Sequence, residues 1–172
     1  YRDVLLKDCI ISNEKVVNKI ILIKIMTVQN IFFENVSIHD VVGQILSVKN
    51  CKQFNAHKLL VNRIKLQNET NSFKHRSILE LYNVHHIFVE YSSIYNILGS
   101  AFSVQDSLIA FRKVIFANIS SERNSPLNFQ YTKVIKVNFS EVKFKYCQSK
   151  GHGGAISINL LEKSERTQPL YN

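Results

Sequence analysis

The stretch FKYCQSKGHGGAISI, from Phe144 to Ile158, contains two short alternating segments separated by a glycine-rich turn. After the turn, Ile156 and Ile158 fall on one face and Ser157 falls on the other, which is typical of a half-buried β-strand. A phosphate-binding glycine loop lies between a strand and a helix. Because a strand and not a helix is expected after the glycines, the sequence predicts that GHGG is a corner between strands.

Related segments recur along the whole chain. In each copy an apolar residue is followed two positions later by Asn or Tyr, and successive copies begin 22 to 33 residues apart. The segment NIFFENVSI at 30–38 also aligns without a gap to HIFVEYSSI at 86–94, and LIKI at 22–25 aligns to ILEL at 78–81. Repetition on this scale indicates a repeat architecture. The copies begin at Ile11, Phe33, Leu66, Val89, Phe116 and Phe144.

Each repeat has room for two or three strands of four to six residues, which suits one turn of a stacked parallel coil. A propeller blade needs four antiparallel strands in about 40 residues and does not fit these intervals. We therefore expect an all-β fold, a parallel β-helix (solenoid) of about six rungs. In the segment VKFKY, Val142, Phe144 and Tyr146 are expected to share the inward face. The expected core residues are Phe33, Val89, Phe116, Phe144, Ile156 and Ile158.

Composition limits the class of protein. The 172 residues are 45% hydrophobic, carry a net charge of +9 and have a pI of about 9.5. No apolar run approaches the 18 residues of a transmembrane helix. The charge predicts anionic partners. Three cysteines, Cys9, Cys51 and Cys147, are an odd number without metal-ligand spacing, and we expect them to fill core or turn positions.

The basic residues could gather into one stripe on a stacked sheet. Nucleic-acid binding would need aromatic side chains on the same surface, but Phe33, Phe116, Phe144 and Tyr146 are expected to point inward. The sequence thus predicts other proteins or acidic glycans as partners of a basic face, and no nucleic acid. The basic residues considered are Arg63, Lys65, Lys74, Arg76, Arg112, Lys113, Lys133, Lys136, Lys143 and Lys145.

No catalytic, metal or cofactor site is expected. Glu34 and Glu90 occupy matching positions two rungs apart, with Gln67 between them, which is typical of a solvated face. His85 and His86 are adjacent, so in a strand they should point to opposite faces and should not bind one ion together. His39 precedes Asp40 and is interpreted as lining a turn.

Four asparagines, Asn35, Asn68, Asn118 and Asn138, begin N-x-[ST] sequons and are candidate glycosylation sites. Three of them lie at the repeated position two residues after an apolar residue. Two interpretations stay open. The asparagines could be inward and stacked in amide ladders, or outward and able to carry glycans.

The segment from Phe144 to Ile156 resembles the repeat of chlamydial polymorphic outer-membrane proteins, which pair an FxxN element with a GGA[ILV] element. The full pairing occurs once, whereas the Phe-x-Asn half recurs at Phe33/Asn35 and Phe116/Asn118 with one residue fewer between Phe and Asn. The resemblance implies a right-handed, single-stranded parallel β-helix in a secreted or surface-exposed protein. It implies no catalytic residues.

The sequence thus predicts a non-catalytic structural or adhesive β-helix module of an extracellular or cell-surface protein. Residues 1–172 are expected to form one segment of a longer repeat protein, with end-to-end stacking on the rest of that chain or on partner subunits. One alternative is a carbohydrate-active β-helix enzyme of the lyase or hydrolase type, intact or degenerate. A second alternative is a scaffold component of a large intracellular assembly.

Overall fold

A computed structural model describes residues 2–12, 21–66, 77–122, 125–131, 136–151 and 154–160. These residues form β-strands joined by short corners, and no helix occurs among them. The all-β prediction is therefore confirmed. The strands are β1 (Val4–Lys7), β2 (Ile10–Ser12), β3 (Ile23–Met26), β4 (Asn30–Glu34), β5 (Ser37–Val42), β6 (Leu46–His57), β7 (Leu60–Lys65), β8 (Ser77–Glu90), β9 (Ser93–Leu98), β10 (Ser100–Gln105), β11 (Leu108–Arg112), β12 (Ile115–Ser121), β13 (Leu127–Tyr131), β14 (Val137–Ser140), β15 (Lys143–Ser149) and β16 (Ile156–Leu160).

All strand pairs are parallel, and they form two sheets. The chain repeatedly leaves the ten-stranded sheet, adds one strand to the six-stranded sheet and returns. The six-stranded sheet has the order β15-β12-β9-β7-β5-β2, so each new strand lies beside the previous one. The ten-stranded sheet follows β1-β4-β6-β8-β10-β13-β16, and the long strands β6 and β8 also pair with β3 and β11.

Alternation explains which side chains are buried. In β4, Ile31 and Phe33 are buried, whereas Phe32 and Glu34 are exposed. The inward residues of successive strands lie in register and form apolar columns that run from strand to strand. Stacking of like residues in this way makes one continuous core.

Two of these columns correct the predicted repeat alignment. Phe33 and Val89 share one column, as the ungapped alignment of 30–38 with 86–94 predicted, but the strand between them contributes Ala56. Ile11 and Phe116 lie in a different column, and Leu66 lies in neither. The first column is Leu6, Phe33, Ala56, Val89, Phe111 and Phe139, and the second is Ile11, Ile38, Val61, Ile94, Phe116 and Phe144.

Corners between strands are formed by residues with positive φ, and these corners also stack. At the corner that follows β1, β4, β6, β8, β11 and β14, the left-handed residues are Asp8, Asn35, Lys58, Tyr91, Lys113 and Glu141. The next residue of each corner turns inward, as Val36, Leu59 and Val114 do with relative exposures of 0–1%. A left-handed residue thus turns the chain, so that alternation resumes on a new face.

A further left-handed position lies inside the strands of the six-stranded sheet and corrects the placement of Tyr146. Tyr146 has a φ of 52° and is 84% exposed. Its conformation shifts the alternation by one residue, so that Cys147 points inward in its place. The equivalent residues on the other strands are Asp40, Arg63, Asn96 and Asn118.

The core is rich in phenylalanine near β11 to β15. The rings of Phe111 and Phe139 stack with centroids 5.6 Å apart, and those of Phe116 and Phe144 stack at 5.3 Å. Phe33, Val89 and Phe116 are buried as predicted, and Phe144 and Ile156 pack against the core while partly exposed. Ile158 is 49% exposed, contrary to prediction, because β16 pairs with β13 on one side and with no other described strand.

The glycine-rich stretch lies at the junction between β15 and β16, where a corner was predicted. Gly154 has a φ of 32°, and β16 follows it. His152 and Gly153 lie outside the described residues.

Candidate functional site

The asparagines of three predicted sequons point outward. Asn35 lies at the corner between β4 and β5, and its Nδ2 donates a hydrogen bond to Oδ1 of Asp8 at 2.8 Å. Asn118 lies in β12, and its Nδ2 donates to Oδ1 of Asn96 at 3.1 Å. Both asparagines are exposed and have positive φ.

Asn138 is also exposed, in β14, beside its register partner Ala110. Inward stacking is therefore wrong for the three described sequons, and Asn68 lies outside the described residues. Amide ladders do form, but on the surface, where Asn83 donates to Asn50 at 2.9 Å. The repeated sequence position does not correspond to one position in the structure. Asn35 comes two residues after Phe33 of the first apolar column, whereas Asn118 comes two residues after Phe116 of the second.

One outward column of the ten-stranded sheet alternates in charge. Glu34 and Glu90 lie in it two strands apart, as predicted, but the strand between them contributes His57 and not Gln67, which lies outside the described residues. The full column is Lys7, Glu34, His57, Glu90, Arg112 and Ser140.

Ion pairs along this column bind both carboxylates. Lys7 Nζ lies 3.1 Å from Glu34 Oε2, and Arg112 Nη1 lies 3.9 Å from Glu90 Oε1. The side chains are roughly half exposed, so each pair contributes about 0–1 kcal/mol. The arrangement is therefore a surface charge ladder.

The tightest electrostatic cluster joins β5 to β7. Nε and Nη2 of Arg63 each lie 2.6 Å from an oxygen of Asp40, and Nδ1 of His39 lies 2.7 Å from Oδ2 of Asp40. The hydrogen bonds from Arg63, followed by that from His39, hold the pKa of Asp40 well below its usual range. The same contact with Asp40 raises the pKa of Arg63. Because these side chains bind each other, the cluster clamps neighbouring strands.

The adjacent histidines also depart from the prediction. His85 and His86 are both exposed between inward Val84 and Ile87, so the alternation of β8 is broken there. The His86 ring stacks against Phe88, with the centroids 6.2 Å apart. Among the described residues no group of three or more His, Cys, Asp and Glu side chains is arranged to bind a metal ion.

The cysteines are free thiols in corner and strand positions. Cys51 is buried, and its Sγ lies 3.3 Å from the carbonyl oxygen of Lys49. Ser107 makes the equivalent bond to the Gln105 carbonyl at 3.0 Å. Burial raises the pKa of the Cys51 and Cys147 thiols, which favours the neutral thiol over the thiolate.

The basic residues do not form a single stripe. Arg112 and Lys136 lie on or beside strands of the ten-stranded sheet, whereas Arg63, Lys65, Lys143 and Lys145 lie on the six-stranded sheet. Lys113 lies at a corner and pairs with Glu141 at 4.0 Å. Lys74, Arg76 and Lys133 lie outside the described residues.

Sequence reasoning missed one surface, on the outer face of the six-stranded sheet. Exposed lysines there alternate with exposed apolar side chains, including Leu98 at 54% and Ile115 at 38% exposure. The left-handed conformation of Tyr146 places its ring on the same face, next to a hollow of about 420 Å³. We call this surface the basic–apolar patch, and it consists of Lys65, Leu98, Ile115, Lys143, Lys145 and Tyr146.

No protein-family model matches the sequence, and comparisons with curated proteins and with solved structures find no match. The described residues contain no helix long and apolar enough to cross a bilayer.

Proposed function

We propose that the chain is a non-catalytic structural or adhesive module of a secreted or cell-surface protein, built as a right-handed, single-stranded parallel β-helix. The observation that supports this best is the register of the columns, which keep their inward and outward residues over six successive strands. Parallel strands connected through a second sheet follow a right-handed path in nearly all proteins. Such a rod supplies a rigid, extended outer surface for partners.

A surface role agrees with what the outward columns contain. The described sequon asparagines are solvent-exposed, and the acidic pair Glu34 and Glu90 is held in ion pairs. The resemblance to the polymorphic outer-membrane repeats supports the same proposal. Partners would be other proteins or acidic glycans, and the strand edges at either end would accept further repeats of a longer chain.

Glycopeptide mass spectrometry of the native protein tests the cellular location. We expect a glycan on at least one of Asn35, Asn68, Asn118 and Asn138. The side chains of the three that the structure describes are accessible. In a secretory expression system, Ser140→Ala removes the sequon of Asn138 without changing the asparagine itself. The peptide that contains residue 138 should lack the same glycan mass in this variant as in Asn138→Gln.

Unmodified asparagines with full peptide coverage would contradict the secreted assignment. They would favour the alternative of a scaffold inside a large intracellular assembly. Cleavage of a polysaccharide by the purified chain would contradict the non-catalytic assignment and favour the carbohydrate-active enzyme.

A further inference from the structure

The basic–apolar patch combines positive charge with apolar side chains that nothing in the described structure covers. Lys143 is the register partner of Ile115 on the neighbouring strand, and Lys145 is the partner of Ala117, which in turn faces Tyr95. A charged and an apolar side chain therefore lie side by side on the outward face of this sheet. Lys65 and Leu98 extend the surface as register partners further along the sheet.

The positive charge of the patch is not neutralised locally. Asp40 is the only carboxylate within the six described strands of this sheet, and Arg63 and His39 already bind it. Lys65, Lys143 and Lys145 make no ion pair with any other residue that the structure describes. The outer face of the ten-stranded sheet differs, because there Lys7 and Arg112 pair with glutamates.

The chemistry of the patch selects among anionic occupants. An acidic glycan offers negative charge but little apolar surface to contact Leu98 and Ile115. Single-stranded nucleic acid requires several stacking rings along a basic groove, and Tyr146 is the one strongly exposed ring among the patch residues. A bilayer offers anionic headgroups for lysines above apolar chains, and tyrosine is enriched at that boundary.

From this geometry we propose that the basic–apolar patch is a peripheral docking surface for anionic phospholipid bilayers. The proposal goes beyond the module function given above, because it adds a bilayer to the proteins and acidic glycans proposed there as partners. Lysines contact headgroup phosphates and carboxylates, while Leu98, Ile115 and Tyr146 enter the interfacial region. These side chains are all exposed on strands, or directly paired strands, of the same sheet.

Co-sedimentation of the 172-residue chain with vesicles tests the proposal. One set contains phosphatidylcholine alone, and in the other about a third of the lipid is phosphatidylserine. We expect binding to the anionic set only, weakened by added salt. Lys143→Gln with Lys145→Gln should lower the partition coefficient about thirtyfold, and Leu98→Gln with Ile115→Gln about tenfold.

The ten-stranded sheet offers a matched control. Leu108 is 38% exposed, as Ile115 is. Because Ile109 is the register partner of Val137, the preceding residues Leu108 and Lys136 are neighbours on adjacent strands, as Ile115 and Lys143 are. Leu108→Gln with Lys136→Gln should leave vesicle binding unchanged. All these side chains are exposed, and unchanged urea midpoints would show that the variants remain folded.

Three outcomes would overturn the proposal. Equal loss in the control variant would show unspecific charge attraction, and equal binding to both vesicle sets would exclude headgroup recognition. Retention on heparin beads that is lost in the lysine variant, without vesicle binding, would assign the patch to acidic glycans. Because glycosylation is measured separately, failure here is distinguishable from failure of the proposed function.

Discussion

Gly99 shows how closely neighbouring strands approach at a single residue. It has a φ of 134°, and a β-carbon added there would lie 2.5 Å from Cδ1 and 2.9 Å from Cγ of Leu66. Gly99→Ala therefore combines backbone strain with overpacking. We expect it to lower the free energy of unfolding by about 3 kcal/mol, measured by urea denaturation.

Gly154 provides the control for this prediction. Its φ is 32°, and nothing lies within 4 Å of an added β-carbon. Gly154→Ala should cost only about 1 kcal/mol. Equal effects of the two substitutions would mean that contact with Leu66 does not limit residue 99.

Tyr131 carries a buried hydroxyl that no other described residue satisfies. The side chain is 1% exposed, and its Oη has no hydrogen-bond partner within the part of the chain that the structure describes. Burial raises the pKa of Tyr131 to about 12, so the phenol stays neutral. Tyr131→Phe removes an unpaired buried polar group, and it should raise the free energy of unfolding by about 1 kcal/mol.

The exposed Tyr82 is the comparison for Tyr131, because Tyr82→Phe removes a hydroxyl that water already satisfies. That variant should unfold at the wild-type urea concentration. A destabilised Tyr131→Phe protein would reveal a partner for the buried hydroxyl.

Between elements, the clearest electrostatic link is the Asp40–Arg63 contact that joins β5 to β7. The pKa of Asp40 is depressed in the folded protein, whereas in the unfolded chain it returns to about 3.8. Its contribution to stability is therefore present above about pH 4, and it is lost as pH falls toward the folded-state pKa. Asp40→Asn should lower the urea midpoint at neutral pH.

Acidification should shrink the difference between wild type and Asp40→Asn, which urea titrations at neutral pH and at about pH 2 would measure. The surface pair of Lys150 and Glu122, with its charged atoms 3.8 Å apart, is the control. Glu122→Gln should change neither midpoint. A constant difference at both pH values would contradict the role given to the Asp40 charge.

Element type was predictable from alternation, whereas the facing of some side chains was not. Alternation assumes extended φ at every residue, and a left-handed residue such as Tyr146 shifts the side chains that follow. Asn and Asp adopt this conformation readily, and sequence suggests it at Asn118 and Asp40. Tyr146, Lys58 and Arg63 share the conformation because they stack on such residues, which sequence does not reveal.

The break in the alternation of β8 was hidden for a related reason. Two outward residues, His85 and His86, replace the usual one, and the strand pairing continues across them. The partner strand β6 has the same break, because neither Lys52 nor Gln53 is buried. The basic–apolar patch was missed because it joins residues that register, and not sequence, brings together.

For the whole molecule, stability should be greatest in the middle of the sheets. Strands β6, β7 and β8 pair on both sides, whereas β2, β15 and β16 have one described neighbour each. Since such stacks behave as rows of interacting neighbours, we expect end strands to open first. Hydrogen exchange followed by mass spectrometry should show that amides of β6 to β8 exchange at least about tenfold more slowly than amides of β2, β15 and β16.

Uniform exchange across all strands would contradict this prediction, because it would mean that the chain opens in one cooperative step.

Phe111→Ala and Phe139→Ala offer a second comparison within one column. Phe111 is buried between neighbours and Phe139 is partly exposed. Their unfolding free energies should fall by about 4 and about 2 kcal/mol respectively.

Repetition as such was predictable, but the alignment of all copies was not. The pairing of 30–38 with 86–94 was correct because both segments keep apolar residues at the same inward positions of the strand. The copy between them, at 53–61, was missed because Ala56 replaces a large apolar residue. A column tolerates this change, since Phe54 fills the adjacent space 5.5 Å from the Phe33 ring.

The unequal junctions between the two sheets indicate where foreign sequence can be inserted. β7 ends at Lys65 and β8 begins at Ser77, whereas β9 and β10 are separated by Gly99 alone. In both cases the strands before and after the junction keep their in-register pairing with the neighbouring strands, whatever the length of the junction. An epitope tag placed in 67–76 should thus leave the columns of the described residues intact, whereas one extra residue inside β7 would turn its later side chains to the wrong face. The protein can therefore carry grafted loops on one side at little loss of stability, as a display scaffold does.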